Sequence, residues 1–141
     1  MWKQATDLTS LNARNAGTIN EVLGIVFTEV GEDYIVGTMP VSEKTVQPYR
    51  ILHGGANVVL AESLGSIAST LCLDDWATQV AVGIEVNANH LKSVREGSTV
   101  TGTCRPIRVG RTLHVWQIEI RDEKGDLSCI SRLTVSIVAR R

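Results

Sequence analysis

The spacing of apolar residues along this chain changes period several times, and each change marks an element. Residues 7–16 read as a short N-terminal helix, and Thr18 is placed to cap a second short helical turn that stops at Gly24. "IVFTEV" and "YIVGTMPV" are extended runs on either side of "GED", the pattern of a hairpin with a Gly-Glu-Asp turn. The polar stretch 42–52 contains Gln47-Pro48, which argues against helix, so a loop is expected there. From 54 to 73 the period becomes helical, with Leu60, Leu64, Ile67 and Leu71 at i, i+4, i+7 and i+11. Val58, Ala61 and Ser69 on the opposite side are apolar or small, which predicts a helix buried nearly all round.

Four extended segments follow "DDWAT". In "VAVGIEVNANH", strict alternation puts Val80, Val82, Ile84, Val86, Ala88 and His90 on one face. Ala81, Gly83, Glu85, Asn87 and Asn89 take the other. "STVTGTCRPIRVG" comes next, and "RTLHVWQIEIRDE" sets Trp116, Ile118 and Ile120 opposite Gln117, Glu119 and Arg121. "DLSCISRLTVSIVA", reached through the turn "EKGD", closes the chain. Short turns between consecutive strands predict antiparallel neighbours. The order β-β-α-β-β-β-β predicts an α+β domain, a six-stranded antiparallel sheet with one long helix on one face. Such a sheet leaves edges and one side unfinished, which subunit pairing would complete.

Composition narrows the functional classes. The 141 residues fit one domain, 1–141, and 43% apolar content is enough for a core. A net charge of −1 with interspersed signs offers no basic field for a nucleic-acid partner. Three cysteines, Cys72, Cys104 and Cys129, lie far apart without a C-x-x-C pair. Buried free thiols in a reducing cytoplasm are expected, and neither a disulfide framework nor a zinc site. "MWKQATDLTSLNARN" has no apolar signal-peptide core, and no run of eighteen apolar residues occurs, so no membrane span is expected.

Candidate chemistry concentrates in "QPYRILHGGANVVLAESLGS". Glu62 sits among Val58, Val59, Leu60, Leu64 and Ile67, where burying a carboxylate is costly. Helical spacing groups Glu62, Ser66 and Ser69 on one side, either a satisfied polar seam or a general base with polar neighbours. His53-Gly54-Gly55 precedes the helix. It is either a relaxed helix start with His53 as a surface cap, or an oxyanion site using the free first-turn N–H groups. His90, at the end of its strand, is either a packed residue or part of a site. Lys92, Arg95, Arg105, Arg108 and Arg111 make either a solvated rim or a grip for nucleotide phosphates. No G-x-S-x-G elbow, P-loop, dinucleotide fingerprint or metal-ligand spacing is present, so no metal or cofactor is expected.

The loop-helix stretch resembles the hot-dog fold thioesterases, in particular the Arthrobacter-type 4-hydroxybenzoyl-CoA thioesterase group. "MPVSEKTVQP", "LHGGANVVLAES", "EVNANHLKSVREG" and "VWQIEIRDEKG" extend the resemblance over nearly the whole chain. They look like the branch acting on 1,4-dihydroxy-2-naphthoyl-CoA in menaquinone synthesis. They look almost as much like its paralogous branch, which proofreads misacylated aryl carrier protein in siderophore synthesis. The resemblance implies a hot-dog fold, with the sheet wrapped around one long central helix, and hydrolysis of an aroyl-CoA. It implies Glu62 as nucleophile or general base and Gly54 N–H as the group polarising the thioester carbonyl. His53 and Gln47 would flank and position the thioester, Ser66 would hold water or acyl group, and His90 would contact the acyl ring or its hydroxyl. Ser69, Arg95 and Arg108 stand as further substrate-binding candidates. The family pattern is a homotetramer, a dimer of dimers, whose sites take Glu62 and Ser66 from one subunit and Gln47, His53 and Gly54 from another. Arg50 stands where a glycine is usual and Tyr49 where phenylalanine is usual, which bears on acyl preference. A non-catalytic acyl-CoA binding module is the alternative of another class. A hot-dog dehydratase would need a His–Asp pair, and no acid takes that place near His53.

Overall fold

The computed structural model describes all residues 1–141. Two short helices, α1 (Leu8–Ala13) and α2 (Ile19–Leu23), lead into strands β1 (Val26–Val30) and β2 (Ile35–Pro40). The long helix α3 (Gly54–Leu71) follows, then β3 (Gln79–His90), β4 (Thr99–Val109), β5 (Leu113–Arg121) and β6 (Leu127–Ala139). Asp7 caps α1 by accepting from Ser10 N, and Thr18 caps α2, which ends in a left-handed Gly24. Asn12 anchors this lead-in to β1, donating to Phe27 O and accepting from Phe27 N. No helix is long and apolar enough to cross a membrane.

The six strands form one antiparallel sheet in the order β1-β2-β4-β5-β6-β3. Consecutive strands are neighbours as expected for β1-β2, β4-β5 and β5-β6, but not for β3 and β4. β3 lies at the far edge beside β6, and β4 lies beside β2. The connection 91–98 therefore crosses the sheet beneath the start of α3. Backbone pairing with the loop before α3 holds it there: Leu52 N donates to Val94 O at 2.8 Å, and Ile51 bridges Arg95.

The helix is seated where β2 and β4 lack side chains. A methyl group at Gly102 would come 2.7 Å from Leu64 Cδ1, and one at Gly37 3.1 Å from Leu64 Cδ2. Leu60, Leu64, Leu71 and Ala61 are completely buried against the sheet with Ile118, Ile120, Leu133 and Val100. Burying a leucine side chain contributes about 1.5–3 kcal/mol. On β5, burial alternates residue by residue and puts Trp116, Ile118 and Ile120 inside, as the pattern predicts. The helix itself is less enclosed than predicted, because Val58, Val59, Glu62, Ser63, Ser66 and Ile67 are only half-covered.

A second departure lies in β3. Its pairing with β6 shifts register between Gly83 and Glu85, so Ile84 is the extra residue of a bulge. Past it, the inward positions change parity. Ala81 and Gly83 face the core side before the bulge, and Val86 and Ala88 after it. Val82 and Ile84 are 45% and 59% exposed on the sheet edge rather than sharing a face with Val86.

Ser69 is corrected most clearly. It is fully buried, and its Oγ accepts a 2.7 Å hydrogen bond from Trp116 Nε1 in the core. That placement makes it part of the packing rather than a substrate contact. The side of α3 bearing Glu62, Gly65 and Ser69 meets different neighbours along its length. Gly65 lies against Leu133, while Ser69 lies under Trp116. Replacing Ser69 by alanine leaves the indole N–H buried without an acceptor, at a cost of about 1–3 kcal/mol. Urea unfolding at fixed protein concentration should show that loss while turnover stays within two-fold of the parent. A ten-fold fall in turnover, by contrast, would return Ser69 to the site.

Candidate active site

The entry of α3 is built as the helix-start reading predicts. His53 takes an extended backbone, and its Nδ1 accepts the Gly55 N–H at 2.8 Å. The Gly54 N–H has no acceptor within the chain. It therefore stays available at the positive end of the helix dipole. Close approach is the reason for glycine here. A methyl group at Gly54 would come 2.7 Å from His90 Nε2.

Gln47, Gly54 and His90 line one cavity of about 300 Å³ together with Asn57, Leu91, Lys92 and Ser128. The loop before α3 forms its mouth. Gln47 O accepts from Arg50 N and Gln47 N donates to Ile51 O, both at 2.9 Å. The Gln47 side-chain oxygen also takes the Tyr49 N–H, and Tyr49 itself is 86% exposed. Arg50 has a φ of +60°, which explains why a glycine is usual there. Its guanidinium forks onto Glu96 through Nε and Nη2. The left-handed conformation costs a side chain about 1 kcal/mol or more, and an exposed ion pair returns less than that. Arg50→Gly should therefore be more stable than Arg50→Ala by about 1 kcal/mol in denaturant unfolding. Equal stability of the two would show that the backbone there relaxes.

Glu62 lies eight positions beyond Gly54 on the same helix, a rise of roughly 12 Å. It takes part in none of the chain's ion pairs. Its Oε1 instead reaches the edge strand, where a methyl group at Gly83 would come 2.8 Å from it. Glu62 as a residue is partly buried, not enclosed by the apolar residues that flank it in sequence. Ser66, one turn on, is half-covered as well. Within one chain Glu62 and Ser66 thus form one group, and Gln47, Gly54 and His90 a second.

The basic residues do not gather. Lys92 is held by Asp122 at 2.6 Å and by Asp126, and these hydrogen bonds raise its pKa. Arg105 pairs with Asp33 and lies 4.5 Å over the Tyr34 ring. Arg95 and Arg108 form no ion pair; Arg95 precedes β4 (Thr99–Val109) and Arg108 lies near its far end, roughly 30 Å of strand from Thr99. One chain cannot close both on the same phosphate group. A separate hollow of about 410 Å³ lies at the far end of α3, walled by Lys3, Cys72, Asp74, Arg111 and His114 among others. Of the residues read as candidates from the sequence it contains Arg111 alone. Burial pushes the Cys72 and Cys129 thiols up to about 11, and Cys104 higher still. None of the three is a thiolate nucleophile at neutral pH.

Two residues with a place at the site were not anticipated. Asn57 adjoins His90, and Gly83 adjoins Glu62. Each had a readable signal: a polar residue three positions after Gly54 in an apolar run, and a glycine inside a strand, which marks a bulge or a close approach.

An antiparallel sheet carrying one long helix is the architecture of the hot-dog thioester hydrolases. The chain belongs to the thioesterase superfamily, whose model matches residues 49–129. It is 50% identical to the 1,4-dihydroxy-2-naphthoyl-CoA hydrolase of Escherichia coli over 98% of this chain and 99% of that protein. It is 45% identical to a proofreading thioesterase of Cronobacter sakazakii over 98% of each. Among solved structures, a variant of a Pseudomonas aeruginosa thioesterase superimposes with a TM-score of 0.95 at 47% identity, covering 99% of both chains.

Proposed function

We propose that this protein hydrolyses 1,4-dihydroxy-2-naphthoyl-CoA, an aroyl-CoA thioester, in the cytoplasm as a step of menaquinone synthesis. The observation that carries the substrate is the 50% identity, spanning nearly the whole of both chains, to a hydrolase of that name. The three buried, unpaired cysteines support the compartment.

In the proposed reaction the thioester carbonyl lies at the entry of α3, and the Gly54 N–H stabilises the oxygen as it gains negative charge. Gln47 and His53 flank the thioester, and His90 lines the acyl pocket. Glu62 removes a proton from the water that attacks the carbonyl carbon, or attacks it itself to form a mixed anhydride that water then hydrolyses to the acid and free Glu62. Ser66 holds that water or the acyl group. Coenzyme A departs as a thiolate, a good leaving group, so strong acid assistance is not needed. Arg95 and Arg108 are candidates for the nucleotide phosphates, each acting in a different subunit's share of the site.

The roughly 12 Å of helix between Gly54 and Glu62 supports a site shared by two protomers. Glu62 and Ser66 come from one, and Gln47, His53 and Gly54 from the other. The exposed apolar residues Val82 and Ile84 on the β3 edge suit pairing with a second copy. The assembly is a homotetramer, a dimer of dimers. Light scattering should give the tetramer mass, and a monomer with full activity would refute the shared site.

A second reading has its own support, the 45% identity to a proofreading thioesterase. In it the substrate is a misacylated aryl carrier protein. Side-by-side kcat/KM values for 1,4-dihydroxy-2-naphthoyl-CoA, benzoyl-CoA, a medium-chain acyl-CoA and an aryl carrier-protein thioester separate the two. The naphthoyl thioester should rank first. A preference of over ten-fold for the carrier protein overturns the first reading in favour of the second. No thiol release from any of the four would leave a binding module.

A further inference from the structure

Asn57 has no part in the proposed reaction, and His90 there only lines the acyl pocket. Asn57 lies on the first turns of α3, is 4% exposed, and lines the same cavity as Gly54 and His90. Its Nδ2 stands 3.4 Å from His90 Nδ1, and its Oδ1 is buried without a hydrogen-bond partner. An unpaired buried acceptor is costly, and an apolar residue would avoid that cost. As the amide stands, Nδ2 rather than Oδ1 faces the ring, so the amide is the donor and Nδ1 the acceptor. A neutral imidazole that accepts at Nδ1 carries its proton on Nε2. The Nε2 atom lies beside Gly54, 2.7 Å from where a Cβ on that residue would stand. A main-chain N–H and an imidazole N–H therefore stand side by side at the helix entry.

We propose that Asn57 is a positioning residue. By donating to His90 Nδ1 it holds the ring as the Nε2–H tautomer and aims that hydrogen at the carbonyl oxygen polarised by Gly54 N–H. The inference rests on the placement of the thioester proposed above. It gives His90 a task at the reacting carbonyl beyond lining the acyl pocket. Negative charge developing on the oxygen then meets two donors rather than one, and neither must reorient during the reaction.

The test combines a spectroscopic and a kinetic reading on the full-length ¹⁵N-labelled protein, with benzoyl-CoA as substrate and free thiol as readout. Long-range ¹H–¹⁵N correlation, at a pH where the ring is neutral, should show His90 as the Nε2–H tautomer, its signals assigned by their loss in His90→Ala. In Asn57→Ala the ring should become a tautomer mixture. Turnover should fall by roughly ten-fold, the scale of one hydrogen bond, with KM within two-fold. Asn57→Ser keeps a polar group in the buried place but is too short to reach the ring, so it should show the same loss. Because Asn57 acts through His90, the double variant Asn57→Ala/His90→Ala should turn over no more slowly than His90→Ala alone. An unchanged tautomer in Asn57→Ala, unchanged turnover, or multiplicative losses in the double variant each overturn the proposal. Activity of Glu62→Gln on the same substrate separates the two levels. If that variant is inactive while Asn57 behaves in an overturning way, only the role of Asn57 falls. If Glu62→Gln is fully active, the placement of the whole site falls with it.

Discussion

Glu62→Gln should fold and assemble like the parent yet lose at least about 10²-fold in turnover, the scale of general-base help. The substitution keeps the shape of the side chain and removes only its charge and basicity. Glu62 has no ion-pair partner whose loss would weaken the fold, and the residue is partly rather than fully buried. Stability and mass should therefore be unchanged, which isolates the chemical contribution. Thiol release from 1,4-dihydroxy-2-naphthoyl-CoA or benzoyl-CoA provides the measurement. Near-normal turnover would remove Glu62 from the mechanism. Single-turnover hydrolysis of the parent in ¹⁸O-water then distinguishes its two possible tasks. Label in Glu62 identifies attack by the carboxylate, through an anhydride that water opens at the Glu62 carbonyl, whereas base catalysis sends label only to the acid product.

Gly83→Ala should be nearly as damaging to turnover without removing any atom of the reaction. The added methyl group would stand 2.8 Å from Glu62 Oε1 and 3.8 Å from Leu133 Cδ1. Leu133 is at ordinary contact distance, so the carboxylate alone must move. The end of a glutamate side chain turns aside at little cost in stability, and Gly83 does not have the positive φ that would strain an alanine. A reacting group displaced by about 1 Å can lose roughly 10²-fold in rate. The expected outcome is a melting temperature within a few degrees of the parent and a fall in kcat of that order. Activity within two-fold would mean that Glu62 adopts another rotamer when substrate binds, and that its position beside Gly83 is not the working one.

The strands were legible where two faces meet different surroundings. Along β5 the alternation of Trp116, Ile118 and Ile120 with Gln117 and Glu119 matches the burial pattern residue by residue. It was not legible across the β3 bulge, because a period of two cannot announce where one residue is skipped. The neighbour order was read from loop length. That works for tight turns but fails for 91–98, a segment long enough to cross the sheet. In the site, the helical period correctly put Glu62 and Ser66 one turn apart. It also put Ser69 with them, since azimuth around a helix says nothing about what covers each level. Near the C-terminal end of α3 the cover is Trp116, with Trp2 stacked against it at 6.3 Å between ring centres. At the level of Glu62 it is a glycine on an edge strand. The catalytic assignments themselves came from resemblance to a family, because spacing alone left a polar seam and a working base equally open.

The skipped residue at Ile84 acts as a phase shifter for the strand that carries it. Ahead of it, the outward positions of β3 form a greasy rail; behind it, the inward Val86 and Ala88 press on the core. Changes that tune one half need not propagate into the other. A lineage could remodel the exposed rail while leaving the packed half untouched, or the reverse.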